Sequence, residues 1–151
     1  MNAKDYAITF TVSQSPEEVF NAINNVRAWW HEELVGRTDK LGARFTFQYR
    51  DLHRTTQKIA ELVPGRRVVW EVVESGIGFV VDKAEWLGTK IVFEITCKGS
   101  RTQLKFEHIG LVAALECYEG CSGAWNFYVR KSLRGLITGG RGLPNGAAAA
   151  A

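Results

Sequence analysis

The feature of this sequence that most constrains its fold is a change of hydrophobic period along the chain. Between Tyr6 and His108, apolar residues recur at every second position in several short segments, a pattern typical of strands with one buried face. Between Leu115 and Ile137 they recur every three or four positions instead, as on one face of a helix. This order predicts an α+β protein in which an antiparallel sheet packs against one long C-terminal helix.

Six segments carry the strand pattern, and two turn signals join four of them. The predicted strands cover 6–12, 44–50, 53–63, 66–74, 91–98 and 102–108. Pro64-Gly65 and Gly99-Ser100 each predict a tight turn, which makes hairpins of the strands on either side. Residues 75–88 hold three glycines and predict a long loop with a further short strand near 79–81.

Helix signals stand at both ends of this strand series. Ser15, Pro16 and Glu18 supply an N-cap, a proline at the first helical position and a capping-box glutamate. A second short helix is predicted over 27–33. The stripe that defines the long helix, which Gly139-Gly140 ends, consists of Trp125, Val129, Leu133 and Leu136.

Composition limits the function classes. With 151 residues, 46% hydrophobic and 23% charged, the chain fits one globular domain, predicted over 1–146. The alanine run 147–151 resembles an artificial extension and is left outside that domain. The net charge of +3 comes from scattered Lys and Arg residues without the cluster that a nucleic-acid interface needs, so no nucleic-acid partner is expected.

Targeting signals and disulfide patterns are not evident in the sequence. The N-terminus has no apolar signal region, and no apolar run approaches the ~20 residues of a membrane span. Three cysteines, an odd number, favour reduced thiols. These features together predict a cytoplasmic protein with no membrane partner.

Six motifs along residues 5–140 resemble the Bet v 1/START-like (SRPBCC) superfamily. Within it they are similar to the branch of heat-shock-protein-90 ATPase activator-like and polyketide-cyclase-like proteins. The motifs, in chain order, are Ser15-Pro16-Glu17-Glu18-Val19-Phe20, Trp29-Trp30, Val63-Pro64-Gly65-Arg66-Arg67-Val68-Val69-Trp70, Gly99-Ser100-Arg101-Thr102-Gln103-Leu104, His108-Ile109-Gly110-Leu111, and Trp125 to Leu133 with Leu136. The resemblance implies a helix-grip fold, with two short helices after the first strand and an apolar cavity between a curved sheet and the long helix.

Such a sheet would present many aromatic side chains on its concave face. The predicted ligand-binding residues are Trp29, Trp30, Phe45, Phe47, Tyr49, Trp70, Phe93, Phe106, His108 and Trp125. The expected ligand is a small apolar or aromatic molecule, because apolar clefts with a few polar groups are the usual ligand sites. The alternative is that these rings simply pack as a hydrophobic core.

His108 is the most interesting titratable residue of this set, and it leaves both a non-enzymatic and an enzymatic hypothesis open. A histidine here could hydrogen-bond a ligand carbonyl, or it could move protons in a cyclase or dehydratase acting on a polyketide-like substrate. A third hypothesis, implied by the resemblance, is a module that contacts a chaperone. Non-catalytic binding of a hydrophobic ligand is the function that the sequence favours.

No metal or cofactor is predicted. Cys117 and Cys121 share a helix face and His108 is the third candidate ligand, whereas structural zinc sites use four. The glycines at 139–142 follow a helix rather than a strand and lack the lysine of a phosphate loop. The cysteines are therefore expected to be buried, inert thiols.

Overall fold

The computed structural model describes residues 5–49, 53–77 and 86–146, and within them the strands form one antiparallel sheet. Across the sheet the order is β1-β7-β6-β5-β4-β3-β2, so that β1 and β2 are the edges. The strand bounds are β1 Tyr6–Val12, β2 Val35–Gly36, β3 Arg44–Tyr49, β4 His53–Val63, β5 Arg67–Ile77, β6 Lys90–Lys98 and β7 Arg101–Ile109. The sheet is curved, as the helix-grip prediction requires.

Helical segments lie between β1 and β2 and after β7. Helix α1 covers Pro16–Asn24 and is followed by a 3₁₀-helix over Val26–Ala28. The C-terminal helix, a name used here for residues 118–139, runs without interruption through α2, a π-helical stretch and α3. Its parts are α2 Tyr118–Trp125, the π-helix Asn126–Leu133 and α3 Arg134–Gly139, and a 3₁₀-helix over Pro144–Gly146 comes last.

Local sequence signals place most of these elements correctly. The fold class is confirmed, and the predicted bounds of β1 and β4 agree with the structure to the residue. The Glu18 amide donates to Ser15 Oγ at 3.1 Å, which is the expected N-cap bond of α1. Gly65 turns β4 into β5 with a φ of +70°, a conformation that glycine adopts without strain.

Three elements differ from the sequence prediction. The second short helix, predicted over 27–33, is only the three-residue turn Val26–Ala28, and Trp29 and Trp30 then both enter the interior. The long helix begins at Tyr118 rather than at 115, and β5 continues to Ile77. The strand predicted near 79–81 lies outside the described residues.

The hydrophobic core lies between the concave face of the sheet and the C-terminal helix. Trp125, Val129 and Leu133 of that helix are each no more than 1% exposed. Trp125 contacts Phe106 of β7, with 4.9 Å between the ring centroids. The interior therefore has one wall of strands and one wall of helix, which is where the candidate site must be sought.

Candidate functional site

The structure gathers the predicted site residues into one interior. Nine of the ten are at most 5% exposed, and the side chain of the tenth, Tyr49, lies outside the described part of the structure. We call the eight aromatic members the aromatic cluster: Trp29, Trp30, Phe45, Phe47, Trp70, Phe93, Phe106 and Trp125. The role of these residues in ligand binding stays a prediction.

Rings of the aromatic cluster contact one another across the interior. Trp30 stacks on Phe47 with centroids 4.4 Å apart and contacts Trp125 at 4.9 Å. On the sheet, Trp70 meets Phe45 at 4.9 Å and Phe93 at 5.0 Å in edge-to-face geometry. These are the spacings of attractive aromatic pairs, so the cluster stabilises the fold as well as lining the interior.

His108 is held between two side chains of the protein. The Trp125 indole N–H, which can only donate, lies 3.0 Å from His108 Nδ1, and therefore Nδ1 is the acceptor nitrogen of the ring. The neutral ring then carries its proton on Nε2 and donates to Thr89 Oγ1 at 2.8 Å. The Thr89 hydroxyl in turn donates to the Trp86 carbonyl at 2.6 Å. Both nitrogens of His108 are thus engaged within the protein.

Burial keeps His108 neutral. Desolvation in the interior and, to a smaller extent, repulsion from His53 lower the pKa of His108 to about 3. A histidine that is neutral, hydrogen-bonded at both nitrogens and locked in one tautomer is poorly suited to proton transfer at neutral pH.

A second histidine, the partly exposed His53 with its Nε2 atom buried, lies beside it at the start of β4. Trp86 separates the two imidazoles and meets both edge to face, with centroid distances of 4.5 Å to His53 and 4.6 Å to His108. Trp86 also stacks on Trp125 at 5.8 Å. Desolvation lowers the pKa of His53 to about 4, so this ring is neutral too at physiological pH.

Four buried polar atoms of this interior have no hydrogen-bond partner among the described residues. They are His53 Nε2, Gln57 Oε1, Trp70 Nε1 and Trp86 Nε1. Leaving a buried donor or acceptor unpaired costs about 1–3 kcal/mol, so native interiors contain few such atoms. Their presence together marks this region as more than an apolar core, and we call these four side chains the polar set.

The register of the sheet places three members of the polar set, His53, Gln57 and Trp70, on one inward face, and Trp86 contacts His53 there. His53, Thr55 and Gln57 alternate along β4, which places them on its inward face. Gln57 pairs with Val72 of β5, and Trp70 lies two residues further along the same inward face. The Gln57 amide Nε2 donates to Thr55 Oγ1 at 2.5 Å, which leaves its carbonyl oxygen as the free acceptor.

Sequence reasoning missed three members of the polar set. A strand pattern covered His53 and Gln57, and their shared parity with Ile59 was the signal that would have placed them inward. Polar residues at these positions look like the exposed face of a strand. Trp86 falls in the segment predicted as a loop, where no periodicity indicates which way a side chain points.

Surface grooves of the described residues lie elsewhere. One of about 600 Å³ is bounded by α1 and the segment after β2, including Asn24, Arg27 and Thr38. Another, of about 480 Å³, lies beside the start of α1 and includes Gln14 and Arg101. Residues of the aromatic cluster line neither groove, so these are separate from the candidate interior site.

Other site types find little support in the described part of the chain. No three His, Cys, Asp or Glu side chains there come together in a way that would hold a metal ion. Cys117 and Cys121 are buried, whereas Cys97 is exposed. None of the described helices combines the length and apolar composition that crossing a membrane requires.

Comparisons with known proteins agree with the fold. The solution structure of the Aha1 dimer from Colwellia psychrerythraea has a TM-score of 0.74 at 20% identity, over 92% of this chain and 99% of that one. CalU16 from Micromonospora echinospora has a TM-score of 0.63 at 18% identity, over 89% of this chain and 76% of that one. SSP2350 from Staphylococcus saprophyticus has a TM-score of 0.66 at 12% identity, over 92% of this chain and 95% of that one.

Sequence comparison adds the family. No curated protein sequence matches significantly. The family described as activator of Hsp90 ATPase homolog 1-like protein, by contrast, matches residues 13–138. The resemblance drawn from the sequence motifs is confirmed. Since the family match covers most of the 151 residues of this chain, the chain belongs to the activator of Hsp90 ATPase homolog 1-like family.

Proposed function

We propose that this protein binds a small, mostly aromatic molecule between its sheet and its C-terminal helix and does not transform it. The observation that carries the proposal is the polar set, His53, Gln57, Trp70 and Trp86, whose buried atoms lack partners. A ligand with matching polar groups would remove a cost of about 1–3 kcal/mol at each atom it pairs. The family and the fold of its neighbours favour a ligand-binding domain of this kind.

The aromatic cluster suits a flat apolar ligand. A molecule that buries ~300 Å² of apolar surface gains ~7–8 kcal/mol at ~25 cal/mol per Å². The rings already contact one another, so a ligand must push some of them apart, and this cost adds to the usual cost of association. A dissociation constant of ~1–100 μM is the expected outcome, since 1 μM corresponds to about 8.2 kcal/mol.

The state of the two histidines supports binding without turnover. His108 uses both ring nitrogens on Trp125 and Thr89, and His53 is neutral with no carboxylate or second base among its described contacts. General acid–base catalysis needs a proton donor or acceptor poised near the working pH. The cyclase or dehydratase hypothesis would require His108 to break two hydrogen bonds first.

The test is a titration with fatty acids, flavonoids and polyketide-like aromatics, followed by tryptophan fluorescence and confirmed by calorimetry. Native mass spectrometry of protein purified freshly from its host would identify a ligand carried along. We expect saturable binding of aromatic members of the panel. No saturable response from any compound would contradict the proposal, and conversion of a bound compound would contradict its non-catalytic part.

Two valines on β5 provide a matched pair of variants. Val72 faces the interior beside Gln57, whereas Val69, also buried, is outside the core cluster on the opposite face of the strand. Both Val→Ala changes remove the same atoms from the same strand. Val72→Ala should change the dissociation constant at least about threefold, because it alters the shape of the interior surface that would contact the ligand. Val69→Ala should leave the dissociation constant unchanged. Equal effects would place the ligand outside this interior.

Family membership favours a second candidate function, contact with a chaperone. The matched family is described as activator-of-Hsp90-ATPase-like, over residues 13–138. This function would use the outer surface and needs no interior ligand. Addition of the protein to a purified chaperone ATPase separates the two candidates: a stimulated rate that is independent of added small molecules supports this one, and an unchanged rate rejects it.

A further inference from the structure

We infer that the ligand is a planar aromatic molecule that carries two acceptor oxygens and one hydroxyl group, which bind to Trp70, Trp86 and Gln57. This inference rests on the proposed function and assigns the chemical class of its ligand. It follows from what each unpaired atom of the polar set can and cannot do in a hydrogen bond.

The two indoles require acceptors. An indole N–H has no acceptor capacity, so the buried Nε1 atoms of Trp70 and Trp86 can be satisfied only by an oxygen or an unprotonated nitrogen. Trp29 and Trp125 provide the contrast within the same cluster. Trp29 donates to the Ile23 carbonyl at 3.1 Å and Trp125 to His108 Nδ1 at 3.0 Å. The protein therefore supplies acceptors for two buried indoles and leaves two others for a ligand.

Gln57 requires a donor. In the structure its Nε2 group donates to Thr55 Oγ1, which leaves Oε1 as a buried acceptor without a partner. A ligand hydroxyl fits this atom, whereas a carbonyl does not. A charged ammonium would fit it chemically, but the described residues of the aromatic cluster offer no anion to accompany that charge into the interior.

His53 adapts to either group. Its ring is neutral, so Nε2 carries a proton in one tautomer and accepts one in the other. It therefore tolerates a ligand oxygen of either kind and adds affinity more than selectivity. Discrimination between ligands therefore depends on the two obligate indole donors and on the amide oxygen of Gln57.

The spacing of the polar set indicates a molecule of more than one ring. His53 and Gln57 lie four residues apart on β4, or ~13 Å along an extended strand. Flat rings pack against this part of β4, with Phe47 meeting His53 at 5.3 Å and stacking on Trp30 at 4.4 Å. A fused bicyclic or tricyclic hydroxylated carbonyl compound matches both the length and the flat walls.

Three fluorescent or ultraviolet-absorbing probes of similar size test the inference. The probe 7-hydroxycoumarin has two acceptor oxygens and a hydroxyl, 7-methoxycoumarin lacks the hydroxyl donor, and naphthalene lacks all polar groups. Calorimetry at pH 6.5 should give the hydroxylated probe about a tenfold lower dissociation constant than the methoxy probe, with naphthalene weaker still. Equal affinities for all three would overturn the ligand class but leave the proposed function standing, whereas no binding by any would remove both.

Indole N–H resonances provide a direct readout. In a ¹⁵N-labelled protein, 7-hydroxycoumarin should move the Nε1–H signals of Trp70 and Trp86 downfield, because they gain an acceptor. Those of Trp29 and Trp125 should move least, because they already have one. Single Trp→Phe variants assign the signals. Unmoved Trp70 and Trp86 signals on saturation would overturn the inference, since ordered water or the protein must then already satisfy them.

A pair of glutamine variants isolates the hydroxyl contact. Gln57→Leu removes the buried acceptor, and Gln103→Leu makes the same change on the outward face of β7. Gln57→Leu should reduce the tenfold preference for the hydroxylated probe to about one and leave 7-methoxycoumarin binding unchanged. Gln103→Leu should keep the full preference. A preference that survives Gln57→Leu in a folded protein, as judged by near-ultraviolet circular dichroism, would overturn the role of this amide.

Discussion

At the scale of single residues, Trp125 joins packing and hydrogen bonding in one side chain. Its indole contacts Phe106 and Trp30, each at 4.9 Å, and its N–H fixes the tautomer of His108. Trp125→Ala should lower the free energy of unfolding by ~3–5 kcal/mol, because it opens a large cavity in the core. Trp125→Phe should cost less, because most of the packing remains. It should still cost ~1–3 kcal/mol, because His108 Nδ1 loses its hydrogen-bond donor. Urea denaturation measures both, and curves that match the wild type would contradict the assigned burial.

The two interior histidines, the fully buried His108 and the mostly buried His53, make stability depend on pH in one direction. Their pKa values in the folded protein, about 4 for His53 and about 3 for His108, lie below the usual 6.5. As the pH falls below 6.5, the unfolded chain therefore binds protons that the folded chain excludes, and stability is lost down to about pH 4. Above pH 7 the effect vanishes.

Denaturation at pH 7, 6, 5 and 4.5 tests this dependence. Each histidine should contribute a loss of the order of 2–3 kcal/mol across that range, at about 1.4 kcal/mol per pKa unit. His53→Phe should remove about half of the loss and keep the ring contacts with Phe47 and Trp86. A stability that rises on acidification, or that is as steep in His53→Phe as in the wild type, would disprove the assignment.

At the scale of elements, the C-terminal helix and the residues after it hold the Trp29-Trp30 segment in place. Ser132, in the π-helical stretch, donates to the Trp29 carbonyl and accepts from the Leu143 amide, both at 2.6 Å. Asn145 then donates to the Trp30 carbonyl at 2.9 Å. The last residues of the described chain therefore fasten a segment that is more than 100 residues away in sequence.

Ser132→Ala should loosen this fastening. It leaves a buried carbonyl and a part-buried amide without their partner, at a cost of ~1–3 kcal/mol, and it should weaken the near-ultraviolet circular dichroism of the tryptophans. Ser122→Ala is the matched control, because that exposed hydroxyl donates to the Glu119 carbonyl within the same helix and contacts no other element through this bond. Equal effects of the two changes would mean that Ser132 is not a structural fastener.

At the scale of the whole molecule, ligand binding and global stability are linked. A ligand that binds only the folded protein stabilises it by RT ln(1 + [L]/Kd), about 2.7 kcal/mol at a hundredfold excess over Kd. For a domain of this size that corresponds to a rise of roughly 5–11 °C in Tm. Calorimetric melts with increasing 7-hydroxycoumarin should show this rise. A Tm that does not change at concentrations that saturate fluorescence would mean that the probe also binds the unfolded chain or does not occupy the interior.

Local patterns were sufficient wherever a segment's own residues decide its structure. The alternation in 6–12 and 53–63, the N-cap at Ser15 and the Pro64-Gly65 turn act over a few residues, and the structure has each of them. The two-residue strand β2 is too short to carry a period. The π-helical geometry of Asn126–Leu133 also has no local signal, because apolar spacings of four suit an α-helix equally well.

The sequence by itself therefore determined the fold class, most of the strand positions and the family, since hydrophobic period and turn chemistry are local properties. The tertiary structure alone decided which polar groups meet inside. His53 becomes a neighbour of His108 only through Trp86, a residue from a segment without periodicity. The division between paired and unpaired indoles also depends on acceptors far away in sequence, such as His108 for Trp125. Hydrogen-bond partners in a core are set by register and packing between elements, which no single segment of sequence contains.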